Sequence, residues 1–168
     1  MNIGDNCSIG SNVVIRNSLI KNNVHILDGS VIGKKGFGYF PNKNINFRYP
    51  QIGIVIIEDN VVIGGNSAVQ QFTRIGKMAM IGGMTGVMHD VIPYGLSTGN
   101  RNSLIGLNLI GLRRAKFENK NIIGLSEAYK EIFATKNIYE NISKLTVSLK
   151  ENPLAVSYTH LTLPTRSY

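Results

Sequence analysis

Acidic residues are scarce in this chain: Asp and Glu number 10 against 18 Lys and Arg, which leaves a formal net charge of +8 over 168 residues. Such an excess suits an acidic or phosphate-bearing partner. Around its densest cluster, Arg101, Arg113, Arg114 and Lys116, stacking aromatics and any recognisable nucleic-acid module are missing, which argues against nucleic acid and leaves a solvated basic face as the plain alternative. Cysteine is nearly absent as well. A lone Cys7 offers no disulfide framework, which suits a cytoplasmic setting. No run of eighteen apolar residues and no signal peptide is visible, so neither a membrane span nor export is supported. Nothing in the chain calls for a metal site or a cofactor.

What the sequence does have is a beat of six. Ile57, Ile63, Val69, Ile75, Ile81 and Val87 follow one another at six-residue intervals, and Ile3, Ile9, Ile15, then Ile20, Ile26, Ile32 keep nearly the same spacing, with one five-residue step. This period is neither that of a helix nor that of a half-buried strand. A branched aliphatic at every sixth residue predicts a hexapeptide β-helix, each hexad forming one short strand and a corner, with the aliphatics stacked inside. Two further registers agree. Four residues after each ladder position the side chain is small or β-branched (Cys7, Val13, Val24, Ser30, Val61, Ser67, Thr73, Ala79, Thr85), as a narrow interior requires. Three residues after it come Asn6, Asn12, Asn23, Gly29, Asn60 and Asn66, the residue types that enter the left-handed region at least cost. Chance spacing in an Ile-rich chain would produce the ladder alone, not three registers together.

The fold class read from this pattern is mainly β, a left-handed parallel β-helix of hexapeptide repeats followed by a C-terminal α-helical domain. Residues 1–92 form the β-helix, interrupted by a loop insertion over 34–51 that is punctuated by Gly36, Gly38, Pro41 and Pro50. Residues 93–153 change period: Leu104, Leu107, Ile110 and Leu112, then Ile122, Leu125, Tyr129, Ile132 and Phe133, then Ile138, Ile142, Leu145 and Leu149 recur at three and four residues and predict amphipathic helices capping the open end of the stack. Residues 154–168 are expected to be a non-native or disordered tail. Within them VSYTHLTLPT looks like translated sequencing adapter, so His160 is expected to carry no chemistry; alternation of Tyr158, His160 and Thr162 also permits a native terminal strand. On this reading the chain is an assembled, truncated piece.

From Gly65 the stretch GNSAVQQFTRIGKMAMIGGMTGVMHDVIPYGLSTGNRNSLIGLNLIGLRRAKF, and above all its DVIPYG, GNR and GLNLIGLRR segments, resembles the acyl-carrier-protein-dependent UDP-N-acetylglucosamine O-acyltransferases, which open lipid A synthesis. The preceding GFGYFPNKN and PQIGIVIIEDNVVIG resemble instead the sister N-acyltransferases that act on UDP-3-O-acylglucosamine, so the chain reads as a hybrid joined within IEDNVVIGG. The resemblance implies a cytoplasmic homotrimer with sites between adjacent prisms, UDP-N-acetylglucosamine as acceptor and 3-hydroxyacyl-acyl carrier protein as donor. The N-acyltransferase and a non-catalytic trimeric scaffold are the alternative functions.

In such enzymes a sugar hydroxyl attacks the acyl thioester while a His removes its proton, a task that fits an imidazole titrating near neutrality. That His lies two residues after a ladder aliphatic and directly before Asp or Asn. His25 does not fit and reads as an exposed structural residue; His89, two after Val87 and before Asp90, fits locally. Three coils of eighteen residues earlier, where the base belongs, the count lands on Lys35. His89 would then stand roughly 14 Å from the required place at about 4.8 Å per coil. No catalytic residue is therefore assigned, the catalytic coil is expected to be missing, and the literal chain is expected to be inactive. By the same resemblance Gln70 and Gln71 contact the nucleotide-sugar, Asn108 reads the nucleotide, and Arg114 meets its phosphates. Departures are Gln70 where His is common, Ile110 for an acidic residue, and Ala115 for a second Arg. Gly83 matches the position that sets acyl-groove depth, or is an ordinary hexad glycine.

Overall fold

The computed structural model describes residues 1–34, 36, 38–41, 46–50, 52–135 and 137–159. Its backbone turns where the sequence placed asparagine: Asn6, Asn12, Asn23, Asn60 and Asn66 all have φ between 53° and 59°, and Gly29 has 72°. Each such corner ends a two- or three-residue strand, and the strands stack in parallel into three sheets. The result is a left-handed parallel β-helix followed by α-helices.

Register ties the sheets to the six-residue beat. In one sheet Ile3 pairs with Ile20, Ile20 with Ile57 and Ile57 with Ile75. In the second, Ile9, Ile26, Ile63 and Ile81 align, and in the third Ile15, Ile32, Val69 and Val87. From Ile57 to Val87 every ladder side chain is fully buried, each burial contributing about 1.5–3 kcal/mol. Corner donors are met from the next coil: Asn22 Oδ1 accepts from Asp5 N, Asp28 Oδ1 from Ser11 N, and Asp59 Oδ1 from Asn22 N. Inward hydroxyls bond to carbonyls, Ser30 to Gly64 and Ser67 to Gly82, both at 3.1 Å.

The five-residue step is absorbed at Asn17, whose φ of 42° turns the chain early. The inserted loop leaves after Gly33, an extra residue at φ 75° that shifts the pairing between Val69 and Gln70, and the chain rejoins the stack where Val55 N bonds to Asn17 O at 2.9 Å. Its described part holds a short antiparallel pair, Tyr39–Phe40 with Phe47–Arg48, and a Phe40–Tyr49 ring contact at 4.0 Å.

Coiling continues beyond Pro93. Val91 bridges to Ile75, Ser97 pairs with Ile81, and the strand Ser103–Leu107 lies beside Gly95–Thr98. Leu104 and Leu107, expected at the start of a helical period, therefore lie on a strand. Pairing with the sheet overrides the three-and-four spacing, and Gly106 at φ 149° suits no helix.

The chain divides into two compact units, Met1–Gly106 and Leu107–Tyr168. Within the second, α1 spans Leu109–Arg114, α2 Asn119–Ile132, α3 Ile138–Lys144, α4 Val147–Lys150 and α5 Val156–Thr159. The buried stripe of α2, Ile122, Leu125, Ala128 and Ile132, follows the predicted period. Asn137 and Thr146 cap α3 and α4 through their side chains. In the tail segment Leu154, Ala155 and Tyr158 are buried, and the Tyr158 ring meets Phe133 edge-on at 6.3 Å; His160 lies outside the described residues.

Candidate functional site

Where the third sheet turns toward the first, the corner residues of successive coils form a column. Strand Ala68–Gln70 brings Gln70 opposite Lys34 and puts Gln71 at the turn, followed by Phe72 at φ 65°. Gln71 Oε1 accepts a hydrogen bond from Gly53 N at 3.3 Å, which ties the returning loop to this corner. Below it a cleft of about 460 Å³ opens, lined by Met1, Ile15, Arg16, Asn17, Gly33, Gly53 and Gln71. Glycine is needed in two places there: a Cβ on Gly33 would strike the Arg16 carbonyl, and one on Gly53 would lie 2.7 Å from the Phe72 ring.

The strand register fixes which hexad stands under that of His89. Val87 pairs with Val69, Val69 with Ile32, and Ile32 with Ile15. Asn17 follows Ile15 by two, as His89 follows Val87 by two. The hexad three coils before that of His89 is thus the one that starts at Ile15, whose shortened turn holds Arg16 and Asn17, with Asn17 in the left-handed corner conformation that Phe72 takes in the Val69 hexad. The register therefore leads to the Ile15 hexad and not to Lys35, which lies outside the described residues. The inserted loop and the five-residue step break the eighteen-residue spacing that the count assumed.

His89 is exposed and its backbone is clamped: Asn102 Oδ1 accepts from Met88 N at 2.8 Å and His89 N at 3.2 Å, and Asn102 Nδ2 donates to His89 O at 3.1 Å. His25 is exposed on a different sheet from Gln71. Gly83 sits at the turn after Ile81, on a different corner of the prism from Gln71, and a Cβ there would meet only Gly65 O at 3.5 Å. In the second unit Asn108 is the N-cap of α1, its side chain accepting from Gly111 N at 3.0 Å. Arg113 and Arg114 fill the last turn, where cations suit the helix dipole, and Arg114 makes no ion pair among the described residues. Sequence reasoning thus found Gln71 but missed Arg16, Asn17 and Gly53 around it. The five-residue step was the signal, since it moves Arg16 and Asn17 onto the corner.

Among the described residues no group of three His, Cys, Asp or Glu side chains could hold a metal ion, and no helix is long and apolar enough to cross a membrane.

Known proteins share this architecture. The family profile described as Udp N-acetylglucosamine O-acyltransferase, domain 2, matches residues 90–161. The acyl-(acyl-carrier-protein)–UDP-N-acetylglucosamine O-acyltransferase of Sinorhizobium fredii is 38% identical over 145 residues, covering 78% of this chain and 51% of that protein. Its counterpart from Anaeromyxobacter sp. is 44% identical over 102 residues, covering 60% and 40%. The solved UDP-N-acetylglucosamine acyltransferase of Arabidopsis superposes with a TM-score of 0.68 at 25% identity, over 94% of this chain and 59% of that one. The chain spans about half the length of the curated relatives it matches. Over that half, it is similar to the acyl-(acyl-carrier-protein)–UDP-N-acetylglucosamine O-acyltransferases.

Proposed function

We propose that this chain derives from a UDP-N-acetylglucosamine 3-O-acyltransferase of the lipid A pathway, and that in the form given it holds the nucleotide-sugar without acylating it. The identity to relatives that carry this name supports the first part; the observation that carries the second is that the turn three coils before that of His89 consists of Arg16 and Asn17 and holds no imidazole. In the full reaction the acceptor's hydroxyl oxygen attacks the thioester carbonyl of a 3-hydroxyacyl-acyl carrier protein. A general base takes the hydroxyl proton, and the carrier's thiol leaves. A carboxamide has no basic nitrogen, so Asn17 cannot accept that proton at working pH.

Gln71, with Gln70 beside it, contacts the sugar moiety in this reading, while Asn108 and Arg114 address the nucleotide and its phosphates. Gly83 sets the depth of the acyl groove. Support for that role is steric: unlike Gly64, whose Cβ would strike the Gly83 backbone, Gly83 has room for a side chain, so packing alone does not demand glycine there. Gln71 and Gly83 occupy different corners of one prism, which favours a homotrimer whose neighbouring prisms complete each site. The reaction is assigned to the cytoplasm, where acyl carrier protein would meet it. The repeat and helical domains are taken as the units Met1–Gly106 and Leu107–Tyr168 in place of the expected boundary at residue 92, and the expected tail begins inside the second, where Leu154, Ala155 and Tyr158 are buried.

The test is calorimetric titration of the purified chain with UDP-N-acetylglucosamine, alongside a thiol-release assay with 3-hydroxyacyl-acyl carrier protein. Binding without acyl transfer is expected. Failure to bind the nucleotide-sugar would remove the assignment, and transfer by the unaltered chain would remove the inactive part of it.

A further inference from the structure

The cleft under Gln71 contains a cation that the proposed chemistry has not used. Arg16 is exposed, lines the cleft, and makes no ion pair among the described residues, while the described lining of the cleft includes no carboxylate. Its backbone is fixed rather than adaptable: Arg16 N donates to Ile32 O at 3.0 Å, and Arg16 O accepts from Ser18 Oγ at 2.7 Å. Two carboxamides, Asn17 and Gln71, share the lining, and the bare backbone of Gly33 and Gly53 keeps side chains out of it. A volume of about 460 Å³ lies in the range of small-ligand sites, roughly 300–1,000 Å³.

We infer that Arg16 is a phosphate-binding residue and that the corner cleft takes the phosphate portion of a ligand. A guanidinium presents a planar fork of donors matched to phosphate oxygens, and carboxamides add neutral donors without opposing charge. With no acid in the described lining, no carboxylate competes with an anion for this cation. Two sources carry the required chemistry: the diphosphate of a nucleotide-sugar and the phosphodiester of a 4′-phosphopantetheine arm on a carrier protein. The inference rests on the proposed function for its choice of ligands but concerns a residue to which that reading gives no role.

The experiment is calorimetric titration of the full chain and of Arg16→Ala and Arg16→Lys with UDP-N-acetylglucosamine, UDP, N-acetylglucosamine and 4′-phosphopantetheine, with folding checked by circular dichroism. Arg16→Ala is expected to weaken UDP and UDP-N-acetylglucosamine by about tenfold, to leave N-acetylglucosamine unchanged, and to reduce the salt dependence of binding, with Arg16→Lys intermediate. A loss confined to 4′-phosphopantetheine would instead make the carrier arm the occupant and still support the phosphate role. Unchanged affinities for every phosphate ligand in Arg16→Ala would overturn the inference while leaving the proposed function standing. Absence of UDP-N-acetylglucosamine binding in the unaltered chain would overturn the proposed function; the inference would then survive only on Arg16-dependent binding of 4′-phosphopantetheine and otherwise fall with it.

Discussion

Asn17 and His89 lie in hexads that stack in one column of the prism, three coils apart by strand register. Parallel strands stack about 4.8 Å apart, so roughly 14 Å separates them and neither can do the other's work. If the proposed function holds, supplying an imidazole at the lower position restores a base. Asn17→His is expected to convert an inactive chain into one that releases carrier thiol, since a general base contributes about 10²–10⁴-fold. His tolerates the left-handed backbone of this site, φ 42°, better than most residues. The rate should rise with pH as the introduced imidazole loses its proton, around pH 6.5, and His89→Ala in the same background should leave it unchanged. No thiol release from Asn17→His at any pH would refute the placement.

The contrast between fold and site comes from how each is written in the chain. Ile57 to Val87 repeat at one interval because every coil performs the same packing task, so the ladder and its corners are legible from spacing alone. Asn17 is not, because its place in the column depends on which coil pairs with which. The inserted loop and the short step both sit between it and Gln71, and only register counts coils correctly. Leu104 and Leu107 misled for a related reason: their spacing fits a helix, but a neighbouring strand was available to pair with them. Asn108 shows a further gap, since its hydrogen bond to Gly111 N is a helix cap that the matched motif did not announce.

Corner backbone gives a test of strain. Asn60 and Met84 take nearly the same conformation, φ 59° and 57°, although only Asn favours it. Met84 is 78% exposed, so its side chain has little packing to lose. Met84→Asn is expected to stabilise the chain by about 0.5–1 kcal/mol, and Asn60→Val to destabilise it by about 1–2 kcal/mol. Urea unfolding followed by circular dichroism measures both. Equal effects of the two substitutions would mean that corner conformation does not limit stability.

Glycines on adjacent coils separate packing from function. A Cβ at Gly83 has only Gly65 O within reach, at 3.5 Å, whereas one at Gly64 would press on the Gly83 backbone. Gly83→Ala is therefore expected to change stability by less than about 0.5 kcal/mol, and Gly64→Ala to cost about 2 kcal/mol or more. In the Asn17→His background, Gly83→Met should also shift acyl preference toward shorter chains, read from thiol release across a series of 3-hydroxyacyl-acyl carrier proteins. A large stability loss in Gly83→Ala would return Gly83 to an ordinary structural glycine.

Thr85 offers a case where polarity inside the prism works against the fold. Its Oγ1 is buried with no hydrogen-bond partner among the described residues, although Ser30 and Ser67, in the same interior column two and one coils earlier, each reach a carbonyl. A buried hydroxyl without a partner costs about 1–3 kcal/mol, and valine has the same branched shape without it. Thr85→Val is thus expected to raise stability by about 1 kcal/mol, while Ser67→Ala, which breaks the bond to Gly82 O and also removes the acceptor facing Thr85 N at 3.4 Å, lowers it by a similar amount. Opposite signs at two neighbouring hydroxyls would show that hydrogen-bond satisfaction, and not interior polarity as such, decides which residues the column tolerates. A destabilised Thr85→Val would instead require an interior water bonded to that oxygen.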